Sequence, residues 1–228
     1  MGNNNSRFSA EKASVYLKTS RIRLQQLQNK KTNLVMADKR AIGDLLKAQK
    51  HEIARIKCEQ VIRDNLSIEA YHILENLCEL VLARIHVIAE AHEVPVNMQE
   101  AIHSLIYAAP LTEVPELLTL REVFATKYGR EFVQHVQMNE AGFVNQKLIT
   151  KLVPEDISPA QLEANLVEIA RHYNIEYTPL YSEHDHLQPL KPNHGGNIDD
   201  VAQIVFPVTA ADSLDSLEVR HANLRNGL

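Results

Sequence analysis

The sequence predicts an all-α protein organised around one very long helical element, and three observations carry that prediction. The chain is rich in Leu, Ala, Glu, Gln, Lys and Ile, which favour helices, whereas 7 Gly, 5 Phe and no Trp in 228 residues argue against a β-sandwich or a Rossmann sheet. An apolar set of Ala13, Leu17, Leu24, Leu27, Leu34, Ala41, Leu45 and Ala48 recurs in the four-and-three stepping of a helix face. Between Lys50 and Val94 nothing breaks a helix, and Pro95 then ends it.

The first helix has a suitable N-cap in Ser9 and an acid, Glu11, in its first turn. Ser20, Lys31 and Asp38 interrupt its apolar stripe. The stepping returns from Leu66 in Ala70, Ile73, Leu77, Leu80 and Val87, with Arg84 as the one polar member. A helix over residues 50–94 would be about 65 Å long. A compact domain of this size has a radius of gyration near ~17 Å, so the chain is a rod or contains a long hairpin. The hairpin turn falls between Leu46 and Glu52, although no Gly or Pro marks it and Gly43 lies just upstream.

Shorter elements follow. Asn97 with Glu100 reads as a capping box for a helix ending before Pro110. Thr112 and Pro115 open another through Phe124 and Tyr128, with Gly129 as its end or kink, and Asn139 to Gly142 is a turn. Ser158-Pro159-Ala160-Gln161 joins an N-cap, a Pro at N1 and a Gln at N3, and opens a helix with Leu162, Leu166, Ile169 and Tyr173 on one face. Beyond Tyr177 the composition turns to Pro, His, Asn, Gly and Asp without a period, so residues 178–211 read as a flexible linker. Residues 212–228 regain a helical stripe in Leu214, Leu217, His221, Leu224 and Leu228. Asp212, Asp215 and Glu218 lie toward its N-terminus and Arg220 and Arg225 toward its C-terminus, which suits the helix dipole. So short a helix is marginal alone in water and is suited to folding into a partner's groove.

Charge divides the chain. Residues 1–60 hold 13 Lys+Arg against 5 Asp+Glu, and residues 61–228 hold 11 against 24. A basic arm on an acidic body points to an anionic partner, and to contact between the two parts within one chain or between neighbouring copies. Arg7, Lys12, Lys18, Arg21, Arg23, Lys30 and Lys31 form the candidate basic face, toward a membrane or a polymer neighbour. A membrane is favoured over nucleic acid, because no aromatic or Arg cluster suited to base stacking is interleaved with the charges. The bland alternative is a solvated helix face. Met1-Gly2-Asn-Asn-Asn-Ser6 satisfies the N-myristoylation pattern at Gly2, and a single acyl chain needs a second signal such as this basic run.

Other classes find little support. No apolar run approaches the roughly 20 residues needed to cross a bilayer, and no signal-peptide core precedes a cleavage site, which predicts a cytosolic protein. Cys58 and Cys78 each sit in a helical pattern and read as reduced, half-buried thiols. The helical histidines share no i, i+4 pair. His184, His186 and His194 fall in the linker, so no metal site is expected. With no Ser/His/Asp grouping, Gly-rich phosphate loop or HExxH, neither an enzyme nor a cofactor is expected.

Several blocks together resemble the Increased Sodium Tolerance (Ist-one) family of ESCRT-III-related proteins. They are Ala54-Arg-Ile-Lys-Cys-Glu-Gln-Val-Ile-Arg-Asp64, Glu79-Leu-Val-Leu-Ala-Arg84, Ile106-Tyr-Ala-Ala-Pro110 and Leu166-Val-Glu-Ile-Ala-Arg-His-Tyr-Asn174, within residues 8–177. The resemblance implies a long antiparallel two-helix hairpin with shorter helices packed along it. It places the turn near Gln49, where relatives often carry Gly. Residues 1–8 are then a flexible N-terminus, 9–177 the ESCRT-III-like domain, 178–211 a linker and 212–228 a partner-binding helix.

The resemblance also implies a non-enzymatic role. Such proteins co-assemble with ESCRT-III subunits of the charged multivesicular body protein one (Did-two) group, and self-assembly is expected. They regulate the AAA ATPase Vps-four in membrane remodelling, multivesicular-body sorting and abscission, on endosomal membranes and at the midbody. ESCRT-III tails bind MIT domains of Vps-four and its relatives through Leu-x-x-Arg-Leu-x-x-Leu-Arg or Lys, preceded by acids. Leu217, Arg220, Leu224 and Arg225 match that pattern here, with Asp215 in front, and His221 departs from it where an apolar residue is preferred. The leucines would fill a groove between MIT helices while the arginines meet acids on its rim. The alternative function is a non-polymerising helical adaptor that tethers a partner to membrane through the basic N-terminal arm.

Overall fold

Ser9 opens the first helix, α1 (Ala10–Lys47), its hydroxyl accepting from the Lys12 N–H at 3.2 Å. The computed structural model describes residues 8–154 and 156–181, and among them every regular element is a helix. Antiparallel to α1 runs α2 (His51–Ala83), so the expected hairpin is present and its turn lies within the expected window. The turn is a Schellman motif. The Lys50 N–H reaches Leu45 O at 2.9 Å and the Gln49 N–H reaches Leu46 O at 3.0 Å, with Gln49 left-handed at φ 60°. Asn139 (φ 52°) and Asn174 (φ 53°) end two further helices the same way.

The buried stripe differs from the expected one. In α1 it runs Ala13, Leu17, Ser20 and Leu24, then Val35, Ile42, Gly43 and Leu46. Val35 lies 18 residues after Leu17, five full turns at about 3.6 residues each. A strict seven-residue repeat drifts by about 20° per heptad, which carries Leu34 out to 47% exposure. In α2 the inward set is Ala70, Tyr71, Leu74, Cys78 and Val81, which leaves Leu80 outside. Both cysteines are fully buried rather than half-buried, and both are free thiols.

The expected unbroken helix to Val94 is interrupted. Arg84 (φ −115°, ψ 14°) separates α2 from α3 (Ile85–Glu90), and Ile85 and Ile88 then face the core while Val87 stands 54% exposed. The expected capping box also fails. A 3₁₀ turn over Val96–Met98 leads into α4 (Gln99–Ala108) with Met98 at the N-cap. Glu100 instead accepts from Asn145 Nδ2 at 2.6 Å, and the Asn145 N–H donates to Ser104 Oγ at 2.9 Å. After a 3₁₀ turn at Ala109–Leu111, α5 (Pro115–Tyr128) begins with Val114 at its N-cap, Pro115 in the first turn, and Gly129 at φ 94° after it.

Two helices had no sequence expectation, α6 (Arg130–Gln137) and α7 (Gln146–Leu152). Each is two turns long, too short to show a sustained period. The last, α8 (Pro159–His172), starts as read from its sequence, Ser158 Oγ accepting from the Gln161 N–H at 3.1 Å.

Two apolar cores line the hairpin. The first joins α1 and α2 away from the turn with α4 and α5, through Leu17, Leu24, Leu74, Ile102 and Phe124. The second lies toward the turn, where Val35, Ile42, Cys58 and Ile62 meet Leu166 and Ile169 of α8. Gly43 belongs to this second core rather than to the turn. A Cβ there would stand 3.2 Å from the Tyr173 ring, so any larger residue would have to push that ring back by a few tenths of an ångström.

Candidate interaction surfaces

Polar pairs set the register of the hairpin. Glu75 of α2 accepts from Gln25 at 2.5 Å and Gln28 at 3.1 Å, Arg21 pairs with Glu79 at 3.4 Å, and Lys57 reaches Asp38 at 2.7 Å. Lys31 donates to Asp64 at 2.5 Å, and Gln60 supports the other oxygen of Asp64 at 3.2 Å. Two of the residues that interrupt the apolar stripe of α1, Lys31 and Asp38, are thus half of an inter-helix charge match, and Ser20 is small enough to be buried. An offset register would separate these partners, and a charge held without its partner is costly.

This pairing reshapes the basic face anticipated along α1. Arg21 turns to α2 and Lys31 into the hairpin, and Arg23 clasps Glu116 of α5 with Nε 2.8 and 2.6 Å from its two oxygens. That clasp holds the Glu116 carboxyl below its ordinary value, chiefly through the Arg23 hydrogen bond. Lys12, Lys18 and Lys30 remain exposed, with no ion pair to a described residue. Arg7, the acylation candidate Gly2, and the tail positions Asp215, Leu217, Arg220, His221, Leu224 and Arg225 lie outside the described residues.

The turn end of the hairpin carries a latch that no sequence pattern announced. Glu163 of α8 is 1% exposed. One of its oxygens accepts from Arg55 Nε at 2.7 Å, and the other from the Tyr177 hydroxyl at 2.6 Å and the Leu180 N–H at 3.2 Å. Arg55 also reaches Glu52 at 2.7 Å. The carboxylate thereby joins α2, α8 and the segment that follows α8, with ordered contacts extending to Leu180. The only hint in the sequence is that Glu163 lies one turn before the apolar Leu166. Its partners are 108 and 14 positions away, so only the fold brings them together.

Among the described residues no group of three or more His, Cys, Asp or Glu is placed to hold a metal ion. None of their helices is long and apolar enough to cross a membrane. Burial raises the thiols of Cys58 and Cys78 to about 12, so neither is a nucleophile near neutral pH.

The fold defines a class, an all-helical protein built on a long antiparallel hairpin with shorter helices packed along it. The profile of one family, described as "Ist1: Regulator of Vps4 activity in the MVB pathway", matches residues 14–176, and the chain belongs to that family. It is 35% identical over 170 residues to an IST1-like protein of Dictyostelium discoideum, covering 75% of this chain and 46% of that protein. It is likewise 35% identical over 167 residues to the vacuolar protein sorting-associated protein IST1 of Saccharomyces cerevisiae, covering 69% of this chain and 56% of that one. The chain thus spans about half the length of these curated relatives. Among solved structures, the crystal structure of the S. cerevisiae Ist1 N-terminal domain in complex with the Did2 MIM motif is similar at a TM-score of 0.69 and 32% identity. That match covers 74% of this chain and 94% of the solved one.

Proposed function

We propose that this chain is an ESCRT-III-related assembly subunit and a regulator of a Vps4-type AAA ATPase in the multivesicular-body pathway, acting on endosomal membranes and in abscission. The observation that carries the reading is the similarity of the latched hairpin to the Ist1 N-terminal domain, a protein solved with a Did2 MIM motif. By that similarity, the hairpin domain engages Did2-type subunits. Assembly with its own copies belongs to the same reading and rests on the opposed charges of its basic and acidic parts. Lys12, Lys18 and Lys30 supply charge toward an anionic membrane, and an acylated Gly2 would supply the second anchor. Leu217, Arg220, Leu224 and Arg225 recruit the ATPase through its MIT domain, with Asp215 leading the helix and His221 loosening the fit.

Two measurements test the proposal. The full chain is titrated with a labelled Vps4 MIT domain, with Leu224→Asp as the control. Saturable binding in the micromolar range is the order expected of one short helix that folds as it binds, and the Asp variant abolishes it. No binding removes the ATPase-recruiting half of the proposal. Separately, the chain is mixed with a Did2-type subunit and examined for filaments by electron microscopy. Failure to assemble at any salt concentration replaces the polymer subunit with a monomeric, membrane-tethered adaptor.

A further inference from the structure

A cleft of about 370 Å³ opens at the end of the hairpin remote from the Gln49 turn, where the 91–95 loop meets α4, α5 and α6. One wall is aromatic, and the rest of the lining is largely polar, with His92, Glu93, Gln99 and Lys127. The Tyr128 and Phe132 rings lie 5.2 Å apart, and the His103 ring meets Phe132 and Phe143 edge-on at 5.3 Å each. Phe143 is 43% exposed, so one apolar wall faces solvent.

Lys127 also lines this cleft. One of its three N–H donors goes to Ala89 O at 3.0 Å, and its Nζ lies 4.9 Å from the Phe8 centroid and 5.4 Å from that of Tyr128. No carboxylate pairs with it among the described residues, and burial lowers its pKa. The adjoining Tyr128 hydroxyl has no hydrogen-bond partner. His103 is 6% exposed and its Nδ1–H donates to Gln99 O at 2.7 Å, so that donor is already used. A partly desolvated ammonium with spare donors thus stands beside an uncovered aromatic wall.

We propose that this cleft binds a linear peptide segment in which a carboxylate side chain stands next to a large apolar one. The carboxylate takes the free donors of Lys127 in a charge-assisted hydrogen bond, and the apolar group lies on Phe132 and Phe143. A single ammonium with no lining Arg suits a carboxylate better than a phosphate, which favours a guanidinium fork or several backbone N–H groups. Glu93, another lining residue, is a like charge to the incoming carboxylate and disfavours a continuous anionic surface such as a membrane more than a single acid. The volume admits one or two side chains, which fits a peptide anchored at two adjacent residues.

The test uses the full chain and a fluorescein-labelled peptide, Gly-Ser-Glu-Phe-Asp-Leu-Ser-Gly, beside its counterpart with Gln and Asn replacing the two acids. The acidic peptide is expected to bind with a Kd on the order of tens of micromolar, and the amide peptide about tenfold more weakly. Lys127→Gln removes the preference for the acid. Phe143→Ser weakens both peptides about fivefold while keeping the helical circular dichroism of a folded chain, with a lower thermal midpoint from the lost ring contact with His103. Equal binding of the two peptides, wild-type affinity in Lys127→Gln, or no binding by either peptide overturns the proposal. So does displacement of the acidic peptide by phosphatidylserine vesicles in a Lys127-dependent manner, which assigns the cleft to a lipid headgroup.

Discussion

Gln49 shows how much one backbone angle decides. A left-handed conformation costs an L-residue about 1–2 kcal/mol, and this one occurs in the turn that reverses the chain. Gln49→Gly should therefore stabilise the protein by about 0.5–1 kcal/mol net of the entropy glycine adds to the unfolded chain, read as a higher urea midpoint with an unchanged m-value. A lower midpoint would show that the Gln side chain, which pairs with His51 at 2.9 Å, matters more than the angle. The cysteines follow burial. With both thiols raised to about 12, iodoacetamide at pH 8 should leave Cys58 and Cys78 unmodified in the folded protein and alkylate both in 8 M urea, as counted by intact mass. Glu116 responds to pH. Its folded carboxyl is depressed below the ordinary value of 4.5, so its stabilisation is complete above that value and is lost as pH falls through the lower folded value. Glu116→Gln should consequently melt below the wild type at pH 6, with the gap narrowing as pH falls below 4.5; a gap that stays constant down the acid range would remove the charge-based account.

At the scale of elements, α8 is held by one charge as well as by its apolar face. Leu166 and Ile169 bury against Val35, Ile42 and Ile62, and Glu163 closes the contact through Arg55, Tyr177 and the Leu180 N–H. Removing Glu163 leaves the half-buried Arg55 with only the exposed carboxylate of Glu52, and the Tyr177 hydroxyl and Leu180 N–H without their acceptor. Glu163→Ala should cost about 3 kcal/mol in urea unfolding and expose the segment after α8 to limited proteolysis. The double variant with Arg55→Met should recover part of that loss, because no cation is then stranded. If the double variant is as unstable as the single one, the latch is held by packing and not by charge. The polar pairs along α1 and α2 act differently, by rejecting offset registers of two long helices whose apolar stripes alone would tolerate sliding.

For the hairpin domain as a whole, both apolar cores are built on the same two helices. Neither α1 nor α2 can lose one core without loosening the other, so cooperative unfolding is expected. Helical circular dichroism and tyrosine emission should report one coincident urea transition. Two separated transitions would mean that the two ends of the hairpin unfold independently. This shared scaffold also explains why the surfaces lie where they do, with the α8 latch at the turn end and the aromatic cleft at the other.

Much of this is legible in the sequence alone. The helix starts at Ser9 and Ser158 were readable because a capping side chain and the N–H it satisfies are three residues apart. Gly129 and the Asn139–Gly142 turn are readable from local turn residues, whereas no such residue marks the hairpin turn at Gln49. The sequence by itself thus determined the helical class, the great length of its main helical element and the charge asymmetry, since periodicity, caps and composition act over a few residues. The choice of a hairpin over a rod came from the family resemblance and is seen in the fold. Only the tertiary structure decided which side of α1 is buried past Leu24, because a small angular drift accumulates over a helix about 57 Å long. It alone broke α2 at Arg84, gave Gly43 to Tyr173, and turned Arg21, Arg23 and Lys31 from an open basic face into partners of Glu79, Glu116 and Asp64. Those outcomes depend on groups distant in the chain, and a charge or a glycine acquires its role only when packing brings its partner within reach.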